Sequence, residues 1–241
     1  MPHAVSRLSR LPASQCCPKL DRSLLRDRAA ETLRAYISSG RIPEGTRLTE
    51  REVSDMLGIS RMPAREALQA LEAEGLIIRR GQGRRVIELD EDAVRSIHQV
   101  RWTLEGLAAG LAAARACAEH ATELEALSRD LAEAVHAGDP SRCTRCDLAI
   151  HRAIWRQAGN PYLLAILESL LGVIYVLNER VKLYGRADSA RLLAQHRQLV
   201  EHITSGDDVG ASSAVIGQLR AALEASLHTF HASQQSGADP G

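Results

Sequence analysis

The chain has 241 residues, of which 45% are hydrophobic and 3% aromatic, with 30 basic and 30 acidic side chains. Its length and apolar content suffice for one large or two modest domains with a buried core. The scarcity of aromatic residues argues against single-stranded nucleic-acid binders, which stack bases on aromatic side chains. No apolar run reaches the length of a membrane span, and the first twenty residues lack the apolar segment of a secretory signal.

Charge is balanced overall but divided along the chain. Residues 1–88 carry 16 Lys and Arg against 11 Asp and Glu, whereas residues 89–241 carry 14 against 19. This division indicates that only the N-terminal part meets a polyanion such as DNA. The odd number of cysteines, without framework spacing, favours reduced thiols and a cytoplasmic location. We expect residues 1–22 to form a flexible arm and residues 233–241 a disordered tail.

A helix-turn-helix pattern follows a first helix predicted over residues 24–39. Thr49-Glu50-Arg51-Glu52 is a capping box that begins the first helix of this pattern. Gly58 is the expected end of that helix. Ser60 is the expected N-cap of a second helix, whose polar face carries Arg61 and Arg65 near the N-terminus. Such a helix suits the major groove of DNA, where arginine forks onto guanine or clamps phosphate.

A predicted β-hairpin comes next. The apolar runs Leu76–Ile78 and Val86–Ile87 flank a turn that contains four arginines and two glycines. Beside a helix-turn-helix, a basic hairpin of this kind is a wing that contacts the phosphate backbone or enters a minor groove. The alternative is a charged surface turn that only aids solubility.

These residues resemble the winged-helix DNA-binding domain of the GntR family of bacterial transcription regulators. The matching segments are Gly40–Glu50, Leu57–Arg61, Pro63–Leu68, Leu71–Leu76 and Gly81–Gly83. The resemblance implies that DNA contacts fall on the second-helix arginine, the start of the recognition helix and the wing glycine. In this chain those residues are Arg51, Ser60, Arg61, Arg65 and Gly81.

After residue 89 the pattern is helical, with almost no strand signal. Helices are predicted over residues 90–116, 119–137, 140–158, 162–184, 189–205 and 208–232. The predicted fold class is therefore mainly α, with a winged helix-turn-helix and small β-hairpin wing at residues 23–88. An all-α helical bundle is predicted at residues 89–232.

A candidate metal site lies in this second half. Asp147 and His151 are four residues apart on one predicted helix, so a carboxylate and an imidazole share one side of it. The region resembles the FCD effector-binding and dimerisation domain of the FadR subfamily, through Arg101-x-x-x-Glu105, Asp147-x-x-x-His151, Gly159–Leu163 and Glu201–Asp207. That resemblance places a third metal ligand on His196 and a fourth on Gln218, for a divalent ion such as Zn, Mn or Ni. Since a carboxamide is a weaker ligand than imidazole, a metal-free polar cluster is the alternative.

Two further residues are candidates for binding an effector. The resemblance implies that Arg101 faces an acidic ligand in the same pocket, and a guanidinium suits a carboxylate fork. The alternative is a plain helix pair with Glu105. Asn178 is a polar residue midway along an apolar helix, so it either faces a ligand cavity or lies at its rim.

The sequence therefore predicts a homodimeric, ligand-responsive regulator, a repressor by expectation, which binds a pseudo-palindromic operator and a small organic acid. One alternative is a metalloenzyme built on Asp147, His151 and His196, although no general base is placed by spacing. Another is an architectural DNA binder with no ligand response. A redox or zinc role for Cys143-x-x-Cys146 is a further alternative, but the pair lacks a second pair of thiols.

Overall fold

The computed structural model of the chain describes residues 22–81, 83–181 and 186–236. Helices dominate and the strands are short, so the predicted mainly α fold class is confirmed. The predicted N-terminal arm lies outside the described residues apart from Arg22, and so do residues 237–241 of the predicted tail. The helices are α1 (Arg22–Ser38), α2 (Glu50–Leu57), α3 (Arg61–Ala73), α4 (Glu91–Ala113), α5 (Ala118–Ala137), α6 (Pro140–Gln157), α7 (Pro161–Glu168), α8 (Leu171–Val181), α9 (Arg186–Thr204) and α10 (Asp208–Ser236). The strands are β1 (Arg47–Leu48), β2 (Ile77–Arg80) and β3 (Gly83–Val86).

Local sequence signals explain the helix-turn-helix. α2 follows the capping box, in which the Thr49 hydroxyl accepts from the Glu52 N–H at 3.2 Å and the Glu52 carboxylate accepts from the Thr49 N–H at 2.8 Å. Gly58 ends α2 with φ at +63°, a left-handed conformation that glycine adopts without a Cβ clash. Ser60 has the backbone conformation of an N-cap, but its side chain makes no capping hydrogen bond. Ser60 is therefore confirmed as the N-cap residue of α3, but its exposed side chain does not supply the capping hydrogen bond.

The strands form a small antiparallel sheet in the order β1–β3–β2. In the predicted hairpin, Ile77 pairs with Val86 and Arg80 with Gly83, while β1 adds the third strand. Gly81 occupies the turn with φ at +62°. Both Ile77 and Val86 are buried, so the base of the hairpin packs into the core and its tip projects outward.

The helical domain is built on a close pair of helices, α4 and α10, with α5, α6 and α9 packed around them. Small residues on α4 permit the close approach, since a Cβ at Gly106 would come within 3.0 Å of Ile216 on α10. The largest fully buried side chains of this domain are Leu124, Leu131, Ile150, Ile154, Trp155, Leu167 and Ile174. This core holds the helices that carry the candidate pocket.

The single helix predicted over residues 162–184 is wrong, because the segment divides into α7 and α8 with a bend of 46° between them. The bend lies where the end of α3 packs against this segment. Gly75, with φ at +76°, meets the Ser169 carbonyl so closely that a Cβ would lie 2.7 Å from that oxygen. The Gly172 N–H donates to the Glu74 carbonyl at 3.1 Å. The break therefore follows from a tertiary contact that periodicity cannot reveal.

α8 belongs to two cores. Val173, Val176 and Leu177 pack into the cluster formed by α1, α3 and the small sheet, while Ile174 packs among residues of α4, α6 and α7. The winged helix is therefore completed by a helix that lies nearly ninety residues further along the chain.

Within the described residues, no single helix has both the length and the apolar character needed to cross a membrane. Only the bent pair Pro161–Glu168 and Leu171–Glu179 reaches that length and composition when its two helices are taken together.

Candidate functional site

The recognition helix α3 has one buried and one exposed face. Its buried residues are Ala64, Ala67, Leu68 and Leu71, which anchor it in the core. Its exposed residues near the N-terminus are Ser60, Arg61, Met62 and Arg65. The helix is therefore held in place by its buried face, and its exposed face presents two guanidinium groups and a hydroxyl to solvent.

The five residues with an expected role at DNA all lie at the surface. Arg51 on α2 is 3.8 Å from the Asp55 carboxylate, and Arg65 is 3.8 Å from the Glu50 carboxylate. These contacts are long and exposed, so they leave both arginines available to another partner. Gly81 lies at the exposed tip of the wing, and a Cβ there would meet no atom within 4 Å.

The wing arginines are bound within the protein, which the sequence did not reveal. The Glu72 carboxylate accepts from Arg79 at 2.5 Å and from Arg84 at 3.0 Å, so one acidic residue of α3 ties both strands of the wing to the recognition helix. These arginines lower the pKa of Glu72, with the Arg79 hydrogen bond as the largest cause. Arg80 contacts Glu88 at 3.2 Å, and Arg85 donates to the Gly45 carbonyl at 2.9 Å. The positive charge of the wing arginines is therefore partly neutralised or held by groups within the protein, which the composition of the wing does not reveal.

The residues with an expected role in metal or effector binding meet at one cavity of about 60 Å³. The space exceeds the roughly 10–15 Å³ that one water needs, so it can hold an ion with part of a small ligand. Five helices, α4, α6, α8, α9 and α10, contribute to its walls. The lining includes Arg101, Asp147, His151, Asn178, His196 and Gln218.

Asp147, His151 and His196 form the trio that can share an ion, with one ligand atom from each lying within 4.8 Å of the others. The Asp147 Oδ1 atom lies 2.9 Å from His196 Nε2 and 3.8 Å from His151 Nε2. All three side chains are buried. A carboxylate and two imidazoles are ligands for a divalent transition metal, and three protein ligands leave positions open.

The hydrogen bonding of His196 tests whether this trio suits a cation. His196 Nδ1 lies 3.0 Å from the Leu192 carbonyl, which only accepts, so Nδ1 carries the proton. In the neutral ring the lone pair of Nε2 then faces the Asp147 oxygen, and two acceptors at 2.9 Å repel each other. Nε2 is buried and has no hydrogen-bond partner within the part of the chain that the structure describes. A proton or a metal ion between the two atoms removes this repulsion, so the arrangement fits a cation.

Gln218 stands at the fourth position of the site. Its Nε2 donates to the Gln195 carbonyl at 2.8 Å, which fixes the orientation of the amide. Its Oε1 consequently points away from that bond, and the atom is buried without a hydrogen-bond partner in residues 22–81, 83–181 and 186–236. A buried unpaired acceptor is costly, by about 1–3 kcal/mol, so this oxygen also calls for a cation or a donor.

Glu105 is a pocket-side residue whose structural role the sequence did not reveal. Its carboxylate accepts from Arg101 Nε at 2.8 Å and lies 3.0 Å from His151 Nδ1. Burial alone raises the pKa of Glu105, but Arg101 and His151 outweigh burial and lower it to about 2. The pKa of His151 is raised in spite of burial, because Glu105 and Asp147 both favour its charged form. Glu105 therefore orients His151 as an outer partner of a metal ligand does.

Arg101 and Asn178 both reach the pocket, where each also contacts an acidic residue. Arg101 makes the helix pair with Glu105 and lines the cavity, and its buried Nη1 atom has no hydrogen-bond partner in the described part of the chain. Asn178 donates from Nδ2 to Asp147 Oδ2 at 3.0 Å. Asn178 consequently holds the oxygen of Asp147 that does not face His196.

Other candidate groups fall outside this pocket. His98 is buried on α4, where burial and then the charge of Arg101 lower its pKa to about 3, so its ring is neutral. Cys143 is buried in the core, and burial raises the pKa of both Cys143 and Cys146. High thiol pKa values disfavour thiolate chemistry, which weakens the redox and zinc alternative for this pair.

Two protein-family models match successive parts of this chain. Residues 25–87 match the model described as bacterial regulatory proteins, gntR family, and residues 96–221 match the FCD domain. A "Probable D-xylose utilization operon transcriptional repressor" of Paenarthrobacter nicotinovorans is 29% identical over 216 residues, which cover 88% of this chain and 92% of that protein. A gluconate operon transcriptional repressor of Bacillus licheniformis is 29% identical over 184 residues, covering 75% and 76%.

A solved structure shares the fold. The structure of E. coli McbR/YncC has a TM-score of 0.69 at 22% identity and covers 86% of this chain and 98% of that one. The matched relatives are transcriptional regulators, which removes the metalloenzyme alternative. The chain belongs to the GntR family of bacterial transcriptional regulators, in the FadR subfamily that joins the winged helix to an FCD domain.

Proposed function

We propose that this chain is a dimeric, ligand-responsive repressor that acts on DNA in the cytoplasm. It reads a pseudo-palindromic operator with two winged helices and binds a small organic acid, together with a divalent metal, in the helical domain. The observation that carries the proposal is the exposed N-terminal end of α3, with Arg61 and Arg65 beside a wing that Glu72 holds in place.

The recognition helix has the shape and charge that a major groove accepts. Among the described residues, the ion pair of Arg65 is a long contact of 3.8 Å to Glu50, and its side chain is 55% exposed. Loss of this exposed ion pair when Arg65 contacts a guanine edge or a phosphate costs little free energy. A bidentate guanine contact contributes about 1–3 kcal/mol. The exposed Met62 side chain adds an apolar surface suited to a thymine methyl group.

Arg65→Ala tests the DNA-binding proposal. We expect operator affinity to fall about 30-fold or more, because two half-sites each lose about 1–3 kcal/mol. The duplex is one that the wild-type protein selects from a random pool, and affinity is measured by fluorescence anisotropy at physiological salt. Arg197→Ala, which removes an exposed arginine of α9, is the matched control and should bind as the wild type does. Wild-type affinity in Arg65→Ala would contradict the assignment of α3.

An exposed apolar surface supports the dimer. Val100 and Leu107 lie seven residues apart on α4 and are 45% and 52% exposed, and on the adjacent α7 Tyr162 and Ile166 are 83% and 49% exposed. Large apolar side chains exposed on two adjacent helices suit an interaction site, and a two-fold dimer covers the same residues on both subunits. We assign this surface to a second copy of the chain.

Leu107→Glu tests this assignment. A buried charge on each side of the two-fold contact should convert the dimer to a monomer and weaken operator binding, because half-sites are then bound singly. Sedimentation equilibrium gives the mass, and circular dichroism verifies the fold. Val209→Glu, at another exposed apolar residue, should stay dimeric. A dimeric Leu107→Glu protein would place the interface elsewhere.

Asp147, His151 and His196 would hold the metal, with Gln218 Oε1 at the fourth position. A divalent ion there would supply a positive centre to which an acidic effector can bind. The chain's own residues prepare the site: Asn178 orients Asp147, Glu105 orients His151, and the Leu192 carbonyl fixes the tautomer of His196.

Metal retention tests the site. After incubation with zinc, manganese or nickel and removal of excess ion, the wild type should retain metal in elemental analysis. The metal affinity of Asp147→Asn should fall by more than the roughly 10–100-fold loss that is typical when a residue holding a metal ligand is changed. Gln218→His should gain affinity for zinc. Retention by Gln218→His but not by the wild type would instead support the metal-free polar cluster.

Arg101 supports an acidic effector. Arg101 lines the cavity, and its buried Nη1 atom has no hydrogen-bond partner among the described residues, although Nε donates to Glu105. A free guanidinium donor in a buried pocket suits a carboxylate oxygen. One matched relative is named for a gluconate operon, and gluconate is itself a carboxylate.

A thermal-shift screen of small carboxylic acids tests the effector. An acid at 100 times its Kd should stabilise the wild type by about 2.7 kcal/mol. Arg101→Lys keeps the charge beside Glu105 but loses the fork, so its shift should be smaller, whereas Arg220→Lys on the exposed side of α10 should respond as the wild type does. No shift and no change in DNA affinity with any acid would favour the architectural DNA binder.

A further inference from the structure

α8 touches both the candidate pocket and the end of the recognition helix. Ile174 and Asn178, four residues apart, face the helical domain, while Val173, Val176 and Leu177 face the winged helix. The helix has eleven residues and is continuous, so its two faces move together.

The N-terminal end of α8 is joined directly to the C-terminal end of α3. The Gly172 N–H is one of the first-turn donors that has no partner in its own helix, and the Glu74 carbonyl is one of the last acceptors of α3. The hydrogen bond between them, 3.1 Å long, satisfies both and brings the positive end of the α8 dipole to the negative end of the α3 dipole.

The backbones at this junction leave no space for adjustment. A Cβ at Gly172 would lie 2.6 Å from Leu76 Cγ and 3.0 Å from Glu74 Cβ, and Leu76 is completely buried. On the other side of the junction, a Cβ at Gly75 would lie 2.7 Å from the Ser169 carbonyl. Displacement of α8 therefore displaces the turn between α3 and β2.

A salt bridge ties the same turn to α1. Arg34 donates to both carboxylate oxygens of Glu74, at 3.0 and 2.8 Å, and its guanidinium lies 5.9 Å from the ring centre of Tyr175 on α8. Arg34 therefore links α1, the end of α3 and α8 in one contact.

The other end of α8 reaches the candidate metal ligand. Asn178 lies six residues after Gly172, about 9 Å along the helix at ~1.5 Å per residue, and donates to Asp147 Oδ2. Any ion that Asp147 binds changes the position and charge of the carboxylate that Asn178 holds. The described residues thus form a continuous path of direct contacts from Asp147 to the end of the recognition helix.

We propose that α8 is the element that couples the pocket to DNA binding. Occupation of the pocket moves Asn178, and α8 moves with it as a unit. The Gly172–Glu74 junction then changes the orientation of α3. This inference rests on the proposed function, because it needs both a metal site and a DNA-binding surface. Coupling between sites is reciprocal, so zinc changes DNA affinity by the same factor as DNA changes zinc affinity.

Gly172→Ala tests the junction in the full-length chain, with zinc alone as the probe. Zinc affinity is measured by competition with a chromophoric chelator, and affinity for the selected duplex is measured with saturating zinc and with chelator. For the wild type we expect zinc to change DNA affinity by a factor within the usual range of about 5–150. In Gly172→Ala the added methyl group separates α8 from α3, so this factor should fall towards one while zinc affinity stays near that of the wild type.

Gly217→Ala on α10 is the matched control, since a Cβ there meets no atom within 4 Å, and it should keep the wild-type factor. A second readout needs no DNA: zinc should alter hydrogen exchange of amides 74–76 and 171–173 in the wild type, and not in Asn178→Ala at saturating zinc.

The inference would be overturned if zinc changed the DNA affinity of Gly172→Ala by the wild-type factor. It would also be overturned if zinc changed hydrogen exchange only in α6 and α9. Binding of both zinc and DNA without any mutual effect would overturn it too, while leaving the proposed function intact. Failure of the wild type to bind zinc or any duplex would instead count against the proposed function, and this inference would fall with it.

Discussion

The constraint on which the structure depends is the sharing of α8 between two hydrophobic cores. A winged helix of this size has a small core, and the apolar side chains of Val173, Val176 and Leu177 enlarge it where α8 packs against α1. Each buried side chain of this kind contributes about 1.5–3 kcal/mol through the hydrophobic effect. The orientation of the recognition helix is consequently set by the helical domain as well as by its own turn, which makes the DNA-binding surface sensitive to events in the pocket.

The pocket itself depends on mutual compensation of buried charge. Glu105 balances Arg101 and His151, and Asp147 faces His151 and His196 from the other side. Removal of one member of such a set typically costs about 3–5 kcal/mol, because its partner remains buried and unpaired. The compensation is nevertheless incomplete, since buried atoms of three pocket residues, Arg101 Nη1, His196 Nε2 and Gln218 Oε1, have no hydrogen-bond partner among the described residues. Two of them suit a cation and the third suits an anion, which is the chemistry of a metal bound together with a carboxylate.

Features encoded by neighbouring residues could be predicted from the sequence, whereas those created by distant contacts could not. The capping box at Thr49, the glycine that ends α2 and the hairpin after α3 depend on local chemistry, and all are present. The Asp147 and His151 spacing brought two buried side chains to one side of α6. The break between α7 and α8 was missed because the end of α3 causes it, from a position about ninety residues away in sequence. Likewise, nothing in the wing sequence reveals that Glu72 binds two of its arginines.

The proposed function requires that the N-terminal end of α3 reads bases in a major groove, as one of two symmetric copies. Methylation interference at guanine N7 on the selected duplex tests this contact, because N7 lies in that groove and accepts from arginine. We expect methylation to block binding at guanines in two symmetric clusters about one helical turn, or 10 base pairs, apart. Binding that is unaffected by N7 methylation, or blocked only by modification of the minor groove, would contradict it.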